Sequence, residues 1–227
     1  MGRRALPRID RDIDLSGHYV RPENLPESFN QEAMYGRDAP LEIEIGSGKG
    51  LFLCNAAAAH PDRDFFGVEI VGKYARFIAA RLAKKELNNA RILDGDGVAF
   101  LKTVPDDSVS AVHVYFPDPW WKKRHRKRRV MNETLMAAVD RILIPDGRLH
   151  FWTDVKEYFD STLELMQTAS KLIGPLEVTP EPALHDMDYR THFERRVRVN
   201  DLPVYRAEYY KQPWRVEVTV SQDGNPS

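Results

Sequence analysis

At 227 residues, with 42% hydrophobic and 30% charged side chains, the chain fits one large domain that buries a core without crosslinks. One cysteine, Cys54, excludes an intrachain disulfide or a cysteine metal cluster, and the seven histidines show no metal-ligand spacing, so no metal is expected. The net charge of −1 hides an asymmetry: without the seven Lys and Arg of Lys122–Arg129, 26 basic residues face 34 acidic ones, a net of −8. Such concentration points to a local polyanion-binding stripe rather than a general basic coat. No run approaches the roughly 18 apolar residues of a membrane span, and the N-terminus has no apolar signal core. A cytoplasmic protein with no membrane contact is expected.

Residues 1–39 are polar and proline-bearing, and Arg3, Arg4, Arg8 and Arg11 interleave with Asp10, Asp12 and Asp14. They read as a poorly ordered tail and a loosely packed lead-in, with the folded domain over 40–227. Leu41–Ile45 alternates as a strand and meets Gly46-Ser-Gly-Lys-Gly50, and Leu51–Ala59 reads as a helix. Strand, glycine loop and helix open a nucleotide-binding α/β unit. Leu51 stands where a dinucleotide fingerprint needs glycine, and the spacing of a phosphate loop is absent. What remains, Glu44-x-Gly-x-Gly-x-Gly50, resembles the first motif of S-adenosylmethionine-dependent methyltransferases, and that resemblance implies a loop that lies close to a ribose and an amino-acid tail, an approach glycine permits.

Asp64–Glu69 is the next strand, and Glu69 lies 19 residues past Gly50, where a carboxylate accepts both ribose hydroxyls of an adenosine. An amphipathic helix follows over Gly72–Leu87, then a short strand over Ala90–Leu93, with Asp96 at the adenine end of such a cofactor. After a helix to Leu101 and a turn at Pro105–Ser108, Ala111–Phe116 reads as a buried strand. Asn132–Leu143 is helical, Pro145-Asp-Gly147 turns the chain, and Arg148–Thr153 is a fifth strand ending at Asp154. Tyr158–Leu172 reads as a helix, and Leu176–Val178 and Leu202–Lys211 complete the sheet. Glu69, Asp96, Asp118 and Asp154 thus follow successive strands, which is a row of carboxylates on one sheet edge.

The stretch Phe116-Pro-Asp-Pro-Trp-Trp-Lys-Lys-Arg-His-Arg-Lys-Arg-Arg129 joins a stiff aromatic turn carrying Asp118 to a cationic run. A Pro-Asp-Pro turn alone is usually a turn, and a basic run alone is usually a solvated face. Their adjacency, with two Trp faces between them for stacking, suggests chemistry at Asp118 on a substrate held by the run.

Three motifs resemble the bacterial tRNA (guanine-N7-)-methyltransferase family over about Leu41–Lys211. They are Glu44-x-Gly-x-Gly-x-Gly50, Phe116-Pro-Asp-Pro-Trp-x-Lys-Lys-Arg-His-x-Lys-Arg-Arg129 and Thr191-x-Phe193-Glu194. The first is shared with many methyltransferases; the other two together are specific. The resemblance implies an α/β, Rossmann-like class I methyltransferase fold: a seven-stranded, mostly parallel sheet with helices on both faces and an antiparallel last strand. It implies S-adenosylmethionine as cofactor, with S-adenosylhomocysteine as its product. By the same resemblance Glu44, Gly46, Gly48, Glu69, Asp96 and Asp118 line the cofactor pocket. Lys122, Asp154, Thr191, His192, Phe193 and Glu194 meet the substrate, and Arg124, His125, Arg126, Lys127, Arg128 and Arg129 contact RNA. The implied partner is tRNA, methylated at N7 of a variable-loop guanosine (position 46 of tRNA) by a monomer or homodimer needing no other protein.

The chemistry of the residues is compatible. Guanine N7 carries an in-plane lone pair and no proton, so its methylation needs alignment and not a general base. The product ring is cationic, and Asp118 is the expected electrostatic and positioning group. Glu194 is expected on guanine N1–H and N2–H, against the plainer reading of Thr191–Glu194 as a helix cap. Two rival classes remain: a non-catalytic RNA-binding module, and an amino-methylating enzyme. The glycine loop with Glu69 opposes the first, and Pro119-Trp120 after Asp118, in place of Pro-Pro-Tyr or Pro-Pro-Phe, opposes the second.

Overall fold

The computed structural model describes residues 6–178 and 191–213, and for His192 and Phe193 only the backbone. In chain order the elements are β1 (Tyr19–Val20), α1 (Gln31–Tyr35), β2 (Leu41–Ile45), α2 (Leu51–Ala59), β3 (Asp64–Glu69), α3 (Gly72–Lys84), β4 (Ala90–Asp94) and α4 (Gly97–Leu101). There follow β5 (Val109–Tyr115), α5 (Glu133–Ile142), β6 (Leu143–Thr153), α6 (Lys156–Ala169), β7 (Ile173–Leu176), α7 (His192–Val199) and β8 (Tyr205–Tyr210). The strand order is β1-β4-β3-β2-β5-β6-β8-β7, parallel except where β8 runs against β6 and β7.

Strand side chains alternate between two apolar layers. Ile43, Phe66, Val112 and Phe151 pack on one face with Leu101, Leu135 and Tyr158 of the helices covering it. Phe65 and Ile92 pack on the other with Leu53, Cys54, Ile78 and Leu82. Because both faces are covered, the central strands are buried along their whole length. The order reverses between β2 and β5, which creates the crevice where open α/β sheets bind ligands.

Three expectations are corrected. The sheet has eight strands rather than seven, and the extra one, β1, comes from the lead-in expected to pack loosely. The lead-in is instead tied down: Val20 and Phe29 are buried, Phe29 meets Phe66 and Phe100 edge-on, and the Tyr35 hydroxyl donates to Phe65 O at 2.7 Å. Arg37 closes this segment on Asp64, donating from Nε at 2.8 Å. Second, Pro145-Asp-Gly147 does not separate a helix from a strand but forms a bulge inside β6, with Asp146 at φ 64. A Cβ on Gly147 would lie 2.7 Å from Ile144 O and 3.1 Å from Val109 O, so only glycine closes the bulge. Third, β7 covers Ile173–Leu176, slightly earlier than expected, because α6 already ends at Ala169.

Candidate active site at the switch point

The glycine loop leaves β2 with Gly46, Gly48 and Gly50 all at positive φ, 82, 55 and 68°. They differ in what lies above them. A Cβ on Gly50 would meet Ile78 Cγ1 at 2.7 Å, so its lack of a side chain lets α2 pack on α3. A Cβ on Gly46 or Gly48 would meet nothing within 4 Å. Those two glycines leave open space at the carboxyl end of the sheet, the room a close-lying ligand needs. Gly46 and Ser47 both donate to Val68 O, and Arg81 donates to Lys49 O at 2.7 Å, which fixes the loop on β3 and α3.

Glu69, at the end of β3, accepts from Gly48 N at 2.7 Å and from Val71 N at 2.9 Å. These two bonds orient the carboxylate at the carboxyl end of β3, where it faces the glycine loop. Glu44 lies beneath the loop, 3% exposed, and its Oε2 has no hydrogen-bond partner. Burial lifts its carboxyl to about 8; the nearby Ser47 hydroxyl opposes this, and the charge of Glu69 adds to it. A buried acid with one oxygen unpaired, beside an open cradle, suits a ligand group that brings a donor or positive charge. Asp96 caps α4 by accepting from Ala99 N at 2.9 Å and stays exposed. These donors and acceptors suit S-adenosylmethionine: a ribose diol at Glu69, a close approach at Gly46 and Gly48, and positive charge near Glu44.

Across the switch point β5 ends at Tyr115, and Phe116 extends it by donating to Trp152 O at 2.7 Å. Phe116 and Trp120 have left-handed φ, 50 and 47°, and bracket Pro117-Asp118-Pro119. Such conformations cost about 1–3 kcal/mol each in non-glycine residues and collect at functional sites. Asp118 is exposed, with no hydrogen bond or ion pair among the described residues. Asp154 is half-buried past the end of β6, so Glu69, Asp96, Asp118 and Asp154 share the expected edge.

The basic run forms a 3-10 turn over Lys123–Arg128. Lys122, Lys123, Arg124, Arg126, Lys127 and Arg128 are exposed, while His125 is half-buried with its ring edge-on to Trp120 at 5.9 Å. The Arg128 guanidinium lies 5.1 Å from the Trp120 ring centre, and Trp121 is 67% exposed.

Arg129 departs from the expectation of an RNA contact. It is 7% exposed and donates from Nε to Pro119 O at 2.8 Å, from Nη1 to Ser161 Oγ at 3.1 Å and from Nη2 to Glu157 at 2.5 Å. Its guanidinium lies 4.4 Å from the Tyr158 ring centre. Arg129 is where the chain re-enters the core at Val130-Met131, the one signal in the sequence that sets it apart.

Thr191–Glu194 opens α7. Thr191 caps α7 by accepting from Glu194 N at 3.0 Å. The Glu194 carboxylate is 2% exposed and accepts from Arg198 at 3.1 Å and Arg206 at 3.3 Å. Arg206 in turn lies 4.7 Å from the Trp152 ring centre. Glu194 thus anchors α7 to β8 through Oε1. The side chains of His192 and Phe193 lie outside the described residues.

A methyltransferase family model matches residues 38–207. The chain is 47% identical to a tRNA (guanine-N(7)-)-methyltransferase of Rhodopirellula baltica, over 93% of this chain and 81% of that one. It is 40% identical to one of Alcanivorax borkumensis over 74% of this chain and 71% of that protein. Among solved structures it is similar to the 16S rRNA methyltransferase KamB, with TM-score 0.57, 17% identity and coverage of 80% and 92%. It is also similar to an S-adenosylmethionine-dependent O-methyltransferase of Thermotoga maritima, with TM-score 0.53, 17% identity and coverage of 82% and 64%. Those two likenesses concern the fold. The extent of the family match and the identity to the relatives show that the chain belongs to the S-adenosylmethionine-dependent tRNA (guanine-N(7)-)-methyltransferase family.

Proposed function

We propose that this protein methylates N7 of the variable-loop guanosine of tRNA, forming 7-methylguanosine, in the cytoplasm. The observation that carries the reading is the junction at the switch point. The unpaired Asp118 follows β5 beside the glycine loop, and the exposed cationic turn Lys123–Arg128 begins five residues later. When bound, S-adenosylmethionine supplies an electrophilic methyl group on a sulfonium. Glu69 orients its ribose, and Glu44, once ionised, complements positive charge under the loop. Asp118 stabilises positive charge as the purine ring becomes cationic, and no group has to remove a proton from N7. Lys122, Arg124, Arg126, Lys127 and Arg128 hold the phosphates, and Trp121 offers a stacking face for an unstacked base. Asp154 on the same edge orients the guanosine.

The test is transfer of labelled methyl to a tRNA transcript, followed by nuclease digestion and identification of the nucleoside. The expected product is 7-methylguanosine, and replacing the variable-loop guanosine by adenosine abolishes labelling. Label recovered as N6-methyladenosine, or in protein, would falsify the reading.

A further inference from the structure

We infer that Arg129 is not part of the RNA-binding surface but is a positioning residue, a latch that fixes the Asp118 loop to α6. The inference rests on the proposed role of Asp118. Three observations carry it. The first is geometric separation within the basic run: six of its cations are exposed, whereas Arg129 is 7% exposed and turned inward. The second is the set of bonds. One guanidinium reaches Pro119 O, Ser161 Oγ and the Glu157 carboxylate together, over the face of the buried Tyr158. Pro119 directly follows Asp118, so the Nε bond is one residue from the carboxylate it positions.

The third is strain. Phe116 and Trp120 hold left-handed backbone on either side of Pro117-Asp118-Pro119. Backbone of this kind persists only where its surroundings over-determine it. Phe116 is held by its bond to Trp152 O at one end of the loop. The latch supplies the constraint at the other end. Its anchor is sound: Tyr158 is 1% exposed and accepts from Met131 N at 3.2 Å, which ties α6 to the chain just after Arg129. Glu157 also meets Arg126 at 3.3 Å, with both of those side chains about half exposed. One carboxylate therefore joins a latch residue to an RNA-facing one.

A fork with several donors makes this contact, and an ammonium does not replace it. This separates a latch from a phosphate contact, because Lys serves the second role and fails in the first. We compare Arg129→Lys, Arg129→Gln, Glu157→Gln and, as the RNA-facing control, Arg128→Gln. The measurements are methyl transfer to tRNA, tRNA affinity as a function of salt, and amide hydrogen exchange of residues 116–121.

For both Arg129 variants the expected result is a 10–100-fold lower kcat, the scale of a small misplacement of a reacting group. The tRNA Kd and its salt slope stay within twofold. Exchange in 116–121 rises while exchange in β2 and β5 is unchanged, which serves as the folding control. Glu157→Gln lowers kcat several-fold while tRNA affinity holds or rises, because Arg126 is released. Arg128→Gln does the reverse of Arg129→Gln, flattening the salt slope by about 0.7–0.9 with little change in loop exchange.

Restoration of wild-type kcat by Lys, together with weaker tRNA binding in Arg129→Gln, would identify Arg129 as an RNA contact and overturn the latch. So would unchanged loop exchange in both Arg129 variants. Faster loop exchange with intact kcat would overturn the positioning role while leaving the methyltransferase reading standing. Absence of methyl transfer by the wild-type protein would instead sink that reading, and loop exchange would still decide the latch.

Discussion

Glu42 and Glu44 sit two residues apart on β2, share one face of the sheet, and are both buried, yet their surroundings drive them in opposite directions. Burial alone would raise both. At Glu42 it is outweighed by hydrogen bonds and charge from His113 and Arg63, and the carboxyl falls to about 2. At Glu44 no cation answers, and the carboxyl rises to about 8. Glu42 belongs to a closed ladder in which Arg63, Glu42, His113, His150, Glu208 and Arg148 follow one another, with the two imidazoles stacked at 4.8 Å. A cavity of about 530 Å³ lies over that ladder, toward the amino ends of the strands, away from the glycine loop and Asp118. A large cavity and a cluster of ionisable groups thus do not mark the site here. A buried acid with its partners supplied is architecture; one answered by no cation, with an oxygen left unpaired near the carboxyl edge, is suited to a ligand.

The contrast can be broken at its most exposed point. Asp118→Asn keeps the shape of the loop and removes the charge, so kcat should fall about 10²–10³-fold with unfolding stability unchanged. The residual rate should gain no new pH dependence; a wild-type rate would remove Asp118 from the chemistry.

Glu42→Gln should do the converse. With the folded carboxyl at about 2 against 4.5 unfolded, the paired acid contributes about 3 kcal/mol, as an order of magnitude. The sign follows from a depressed folded value: the contribution is full above about 4.5 and is lost as pH falls toward 2. Urea unfolding should show wild type well above the variant at pH ~7 and the gap roughly halved or less at pH ~3. An equal gap at both would dismiss the ladder as a source of stability.

Glu44→Gln sharpens the comparison because stability should move the other way. A raised folded value costs stability as pH climbs from 4.5 to about 8, since the unfolded chain ionises first. The cofactor-free variant should therefore be more stable than wild type at pH ~7, by about 1–3 kcal/mol, while S-adenosylmethionine binds at least tenfold more weakly by calorimetry. Loss of stability in the variant would mean that Glu44 has a partner after all.

The smallest effect belongs to the exposed run. Arg124→Gln should flatten the slope of log affinity for tRNA against log salt by about 0.7–0.9 and leave cofactor binding alone. An unchanged slope would return Arg124 to the solvated surface.

Much of this was readable in the chain because it is local. Strand, glycine loop and helix from Leu41 to Ala59 follow from pattern and turn chemistry, and the carboxylates at successive strand ends follow from parallel topology. What escaped depends on partners far along the chain. The two residues of β1 pair with Ile92 and Leu93, and nothing in Tyr19-Val20 announces a strand. Arg129 is the same residue type as its neighbours in the run; its different fate is decided by Glu157 and Ser161 on α6. The capping pattern at Thr191–Glu194 was visible, but the inward turn of the Glu194 carboxylate depends on Arg206, in β8.

The sheet's outermost strands have a consequence for how this protein meets others. Among the described residues the edge on one side is β1, only two residues long; on the other it is β7, four residues including Pro175, which has no N–H to give. Neither offers the run of unpaired backbone donors and acceptors on which a further strand is templated. Such short edges resist the edge-to-edge pairing that begins fibrous aggregation.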